Sequence, residues 1–169
     1  MMTKDFIHQC LMELNEELRL DGLKGEIGLV GGAVMCLVFN ARVATRYVDA
    51  IFEPSQGIRI AAKRIALRHN LPPDWLNDGA KGFMVQNFLR VPVLNLSNLS
   101  IWAPEPRYML AMKAIAARWD TSDKDDVIFL ISHLKLKNAN SVLEIIADYY
   151  PKSQIPAKTQ FFIEELFER

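Results

Sequence analysis

Between Glu26 and Asn40 every residue is apolar or glycine, and two glycines, Gly31 and Gly32, stand side by side in "EIGLVGGAVMCLVF". A run of this kind has to be buried. A glycine pair inside it lets the backbone turn where a side chain would clash. The pattern predicts a short buried strand running into the pair, then a short buried helix over "AVMCLVF". The helix N-terminus would sit at Gly31-Gly32. Free backbone N–H groups at such a start suit an approaching phosphate. A tight turn with no ligand is the plainer reading of the pair alone. The stretch is neither a G-x-G-x-x-G nor a P-loop.

The next segment, "TRYVDAIF" (45–52), is β-branched and aromatic with rough alternation. It predicts a strand with Val48, Ala50 and Phe52 on one side and Tyr47, Asp49 and Ile51 on the other. Arg42, Thr45, Arg46 and Asp49 gather at its entrance. Two acids at alternate strand positions can clamp Mg²⁺ with a nucleotide. Here alternation from Asp49 leads back to Tyr47, not to an acid. Alone, Asp49 reads as a solvated or salt-bridged strand residue.

A third group lies later. Lys113 sits in "MLAMKAIAAR", otherwise apolar from Met109 to Ala117, and Asp123, Asp125 and Asp126 open the next helix. A lone lysine there either snorkels outward or has a partner. It can also hold a triphosphate as a point charge. Acids at a helix start favour its dipole, which is the structural reading of the three aspartates.

The remaining elements follow from periodicity. Residues 4–20 form a helix with Phe6, Ile7, Cys10, Leu11, Leu14 and Leu18 on one face, and 57–70 form another with an apolar stripe. The basic residues Arg59, Lys63, Arg64 and Arg68 of the second read as a solvated face. "LPPDWLNDGAKGF" reads as turns and a short helix. "VPVLNL" and "LSIWA" read as a hairpin or two short strands. Helices follow at 104–119, from an N-cap at Ser122 with a capping-box Asp125 to about Leu134, at 139–149 and at 156–168. In the last, Phe161, Phe162, Leu166 and Phe167 pack onto the domain, with a homodimer contact as the alternative. The order implies an α+β protein with a small mixed sheet and a helical C-terminal half. The expected division is a core at 1–103 and a helical part at 104–169 packed on it, or one single domain.

Composition narrows the function classes. Formal net charge is zero, so no global field draws the chain to nucleic acid or an anionic membrane. Cys10 and Cys36 are far apart and read as buried reduced thiols. His8, His69 and His133 lie in separate segments, which disfavours a zinc site. No signal pattern and no apolar run of about 18 residues is present, and a cytoplasmic protein is expected.

Glycine pair, strand acid, then helix lysine followed by an acid: this order resembles the DNA polymerase beta-like nucleotidyltransferase superfamily. It is most similar to the small bacterial nucleotidyltransferase-fold proteins near the AbiEii toxin family. The segments that carry the resemblance are "GGAVM", "ARVATRYVDAIFEP", "LPPDWLNDGAKGF", "PRYMLAMKAIAAR", "SDKDDVIFL" and "YYPKSQIPAKTQFFIEELF", which run through nearly the whole chain after the first helix.

The resemblance implies metal-dependent transfer of a nucleotidyl group from an NTP, with Mg²⁺ or Mn²⁺. The acceptor would be tRNA or a protein, in a toxin–antitoxin or defence setting with a cognate antitoxin or partner protein. Gly31 and Gly32 match the phosphate-facing turn, and Asp49 the second acid of D-x-D and a metal ligand. Lys113 matches the triphosphate lysine. Asp123, or Asp126, matches the late acid that assists catalysis or orients that lysine. Arg42 and Thr45 fall where polar neighbours of the site stand, and Asn77 and Asp78 match a signature of the group.

Tyr47 departs from the pattern, at the first acid of D-x-D. A phenol is a poor Mg²⁺ ligand. The chain is then a pseudoenzyme that binds without transferring, or recruits another acid such as Glu53 or Asp78, or carries a substitution. A catalytically silent nucleotide- or protein-binding module is the rival expectation.

Overall fold

A computed structural model describes residues 1–118 and 121–168. Trp119 and Asp120, read as a helix end and the start of a charged connector, lie outside the described residues. The described chain is α+β, with seven α-helices, one mixed sheet and one small sheet. It falls into two compact units, Met1–Phe83 with Arg90–Ala103, and Met84–Leu89 with Pro104–Arg169.

In the first unit, β1 (Met2–Thr3) leads into α1 (Lys4–Leu20), whose first turn is capped by Thr3. Then come β2 (Gly25–Leu29), α2 (Gly31–Leu37), β3 (Ala44–Thr45), β4 (Val48–Glu53), α3 (Ser55–His69) and β5 (Leu76–Asn77). The hairpin β6 (Arg90–Asn95) and β7 (Leu99–Pro104) completes the sheet, in the order β5-β4-β2-β7-β6. β4 runs antiparallel to β2, while β7 runs parallel to β2 and β5 parallel to β4. β1 and β3 pair separately.

Side chains alternate across a strand, so register assigns each residue to a face. Ile27, Leu29, Val48, Ala50, Phe52, Leu76, Leu99 and Ile101 share one face and are buried. A Cβ on Gly25, on this face, would meet Leu18 of α1 and Ile58 of α3, the helices that cover it. The other face carries Glu26, Gly28, Asp49, Ile51, Glu53 and Trp102. The Trp102 indole lies against the sheet there: a Cβ on Gly28 would come within 2.2 Å of its ring.

Three expectations change. "DWLND" contains a strand, β5, because Leu76 and Asn77 pair with Val48 and Asp49 rather than continuing a helix. The strand read over 45–52 breaks at Arg46-Tyr47, so Thr45 lies in β3 and Tyr47 precedes β4. The basic face of α3 is not simply solvated. Arg64 reaches Glu17 and Asp21, Arg68 reaches Glu13 and Glu17, and Arg59 pairs with Asp78.

In the second unit, α4 (Pro106–Ala116) is the central helix, with α5 (Ser122–His133), α6 (Ala139–Tyr149) and α7 (Ala157–Phe167). Helix α4 starts two residues later than predicted because Pro104 still belongs to β7. Met84–Leu89, expected within the core segment 1–103, clusters with this unit. Val85 N–H donates to the buried Tyr108 hydroxyl at 2.9 Å, Leu89 N–H donates to Glu105 at 3.0 Å, and Phe88 stacks on Tyr108. In α7, Phe162 and Ile163 are buried while Phe161 is 68% exposed. Among the described residues no helix is long and apolar enough to cross a membrane.

Candidate functional site

The glycine turn and Asp49 meet. Gly31 adopts φ +61°, a left-handed conformation that glycine takes at no steric cost. Val30 N–H donates to the Asp49 carbonyl at 2.9 Å, which ties the turn to β4. A Cβ on Gly31 would lie 3.1 Å from Asp49 Oδ2, so that carboxylate oxygen faces the turn. A Cβ on Gly32 would lie 2.8 Å from Thr45 Oγ1 and 3.1 Å from Arg42 Nη1. Gly31, Gly32, Arg42, Thr45 and Asp49 therefore share one locus.

Asn77 joins the same locus from the neighbouring strand. Its Nδ2 donates to Asp49 Oδ1 at 3.1 Å, and its Oδ1 accepts the Gly79 N–H at 3.1 Å. Asp78, next in sequence, is held by Arg59 of α3.

Tyr47 is half-buried, with the Arg46 guanidinium 5.1 Å from its ring centroid. Its carbonyl accepts the Thr45 hydroxyl at 3.2 Å. Neither acid named as a replacement completes a pair with Asp49. Glu53 lies four residues on along β4, about 13 Å away at strand rise, and its side chain is 72% exposed. The Asp78 carboxylate is engaged by Arg59.

These residues fit one divalent ion better than two. Mg²⁺ commonly takes one or two protein carboxylates and completes its shell with phosphate oxygens and water. Asp49, with Oδ2 turned to the glycine turn, suits that role. A two-ion clamp needs further bridging acids. Among the described residues no three His, Cys, Asp or Glu side chains converge.

Lys113 and Asp123 belong to the other compact unit, where Lys113 pairs with Asp123 and Asp126. The Lys113 ammonium lies 2.9 Å from Asp123 Oδ1 and 2.8 Å from Asp126 Oδ2. Lys113 is 8% exposed and Asp126 2% exposed. The lysine has two partners and does not snorkel. The N-cap of α5 is Thr121, not Ser122: the Thr121 hydroxyl accepts the Asp123 N–H, at 3.4 Å. Asp123 stands in the first turn and Asp126 three residues on along the same face, so both reach Lys113.

The other polar groups are structural. Burial, with Glu13 adding to it, pushes the Cys10 thiol up to about 11. Burial also raises Cys36, against the opposing charges of Lys4 and Arg42. Raised, buried thiols are unreactive. His69 bonds Glu13 at 2.8 Å, His133 stacks on Phe129 and His8 is exposed.

No protein-family model, curated protein or solved structure matches this chain.

Proposed function

We propose that this chain is a nucleotidyltransferase-like protein that takes an NTP with a divalent ion at the Gly31-Gly32 turn and Asp49. It would transfer the nucleotidyl group to RNA or a protein acceptor, in a toxin–antitoxin or phage-defence setting. The observation that supports this reading is the convergence of a left-handed glycine turn and a carboxylate oxygen aimed at it. A bound Mg²⁺ or Mn²⁺ supplies charge neutralisation on the phosphates. Asp49 Oδ2 holds the ion. Gly31 and Gly32 let the side chains of Asp49, Thr45 and Arg42 come up against the backbone of the turn, where the phosphate would be received.

Tyr47 favours a second reading, a catalytically silent nucleotide-binding module. With one carboxylate at the turn, the acceptor hydroxyl lacks the second acid that helps activate it. The protein would then bind an NTP, or a partner protein, without transfer.

The test is incubation with each labelled NTP, Mg²⁺ or Mn²⁺, and total RNA or candidate proteins. Label transfer that vanishes in Asp49→Ala supports the transferase. NTP binding without transfer, converted to transfer by Tyr47→Asp, supports the silent module on the same fold. If neither wild type nor Tyr47→Asp binds or transfers any nucleotide, the transferase and the nucleotide-binding module are both wrong, and only a protein-binding module is left.

A further inference from the structure

The strap "DWLND" presents one side chain to the glycine-turn locus. Trp75 is fully buried and its indole N–H donates to the Ala62 carbonyl of α3 at 2.9 Å. Its own carbonyl accepts the Val48 N–H at 2.7 Å, at the start of β4. Leu76 is buried opposite Val48. Asp78 is held by Arg59. These contacts set the strap on α3 and β4, and the register then puts Asn77 opposite Asp49.

The Asn77 amide cannot turn over freely. The Gly79 N–H can only donate, so its partner has to be the amide oxygen. The amide nitrogen is thereby directed at Asp49 Oδ1, 3.1 Å away, with a weaker contact to the Asp74 carbonyl at 3.5 Å. A carboxylate rotates about one bond to its Cβ. Holding Oδ1 fixes Oδ2, and Oδ2 is the oxygen that faces Gly31.

We propose that Asn77 is a positioning residue: it does not touch the nucleotide, but holds Asp49 so that a single carboxylate oxygen is offered to a divalent ion at the glycine turn. The metal part of this inference rests on the nucleotidyltransferase-like reading; the Asn77–Asp49 coupling does not. An amide suits the task because it donates to the carboxylate without adding charge. Ligands supported in this way bind metal better, and loss of such a support typically lowers metal affinity about 10- to 100-fold.

The experiment uses the full chain and two measurements. Asn77→Ser is the main variant, because serine keeps a hydroxyl that can accept the Gly79 N–H but is too short to reach Asp49. Asn77→Ala is the second, in which both bonds go. A double-mutant cycle with Asp49→Ala, read from urea midpoints, reports the contact itself. The expected result is that Asn77→Ser shifts the midpoint less in the Asp49→Ala background than in wild type. Equal shifts in both backgrounds overturn the inference, whatever the nucleotide result. Binding of each of the four labelled NTPs in the presence of Mn²⁺, followed by equilibrium dialysis against the protein, reports the consequence. Asn77→Ser should weaken it about 10-fold. If wild type binds Mn²⁺–NTP and Asn77→Ser binds equally well, the positioning role is wrong and the nucleotide reading stands. If wild type binds none, the nucleotide reading is wrong and the cycle alone decides the coupling.

Discussion

Asp49 and Lys113 are two of the charged residues that carry the resemblance, and the protein treats them in opposite ways. Asp49 is half-buried, held by a neutral amide, and turns one oxygen toward a glycine that leaves it room. Lys113 is buried, with a carboxylate on each side. A charge held by a neutral donor keeps its field for a further partner. A charge surrounded by two opposite charges has spent most of its field within the fold. The comparison teaches that a lysine and an aspartate in the right order do not have equal claims to be site residues. In this chain an amide holds the Asp49 carboxylate, and two carboxylates hold the Lys113 ammonium between α4 and α5.

The sharpest way to break that contrast is to remove the lysine. In Lys113→Met, Asp126, 2% exposed, loses the ammonium that lies 2.8 Å from its Oδ2. Breaking a buried ion pair by removing one partner typically costs about 3–5 kcal/mol. Urea unfolding should show a loss of that size. The double variant Lys113→Met/Asp126→Leu should recover much of it, since the buried carboxylate that faced the ammonium is gone as well. A loss under about 1 kcal/mol in the single variant would mean that water reaches Asp126 and that the cluster is as open as the Asp49 locus. Unchanged NTP affinity in a folded Lys113 variant would remove the lysine's triphosphate role.

The contrast also separates what was legible in the chain from what was not. Local period reveals α1, α6 and the β6–β7 hairpin, because each is decided by residues within a few positions of one another. β1, β3 and β5 are two residues long and exist only through their partners. No period of two can be read from two residues. The same limit hid the bond from Asn77 to Asp49, which joins residues 28 positions apart. Glu17 shows the limit on a helix. It sits beside Leu18 in α1 and is buried only because Arg64 and Arg68 arrive from α3. The cap of α5 was ambiguous locally, since Thr121 and Ser122 are both good caps; the ion pair with Lys113 accompanies the choice. Gly31, Gly32 and Asp49 were legible as a group through their order alone.

Crowding the turn tests the other side of the comparison. In Gly32→Ala the new Cβ would lie 2.8 Å from Thr45 Oγ1, and Thr45 is itself buried. Thr45 or the turn must move, and overpacking of this kind costs about 1–3 kcal/mol. The expected result is that loss in urea unfolding, together with weakened Mn²⁺–NTP binding. A stable Gly32→Ala protein with unaltered nucleotide binding would show that the turn beside Arg42 and Thr45 serves no ligand.

Between the two extremes lies the α1–α3 network, whose charges are paired like Lys113 but only partly covered. Glu13 has a side chain 23% exposed. Burial acts to raise its carboxyl, yet hydrogen bonds from Arg68, Gln9 and His69 outweigh this and hold it below the ordinary value of 4.5. A carboxyl depressed in the fold contributes stability that is fully present above its unfolded value and disappears as pH falls through the folded one. Wild type should therefore exceed Glu13→Gln in urea midpoint at pH 6, and the gap should narrow as pH falls below about 4.5. A gap that does not change with pH would show that the glutamate contributes by packing and not by charge.

The smallest effect expected is the one that defines the open end of the scale. Asp49→Asn removes a charge and keeps the shape, and it leaves no buried cation stranded: the partner of Oδ1 is an amide. Loss of a hydrogen bond's charged character is offset by easier burial of a neutral group. Unfolding stability should stay within about 0.5 kcal/mol of wild type, the range of substitutions that create no cavity, strain or unpaired charge. Label transfer or metal-dependent nucleotide binding should nonetheless be lost, because an amide oxygen is a weaker partner for a divalent ion than a carboxylate. That dissociation, function lost with stability kept, is the behaviour of a residue held for a ligand. A destabilisation of Asp49→Asn approaching that of Lys113→Met would instead make Asp49 a structural acid.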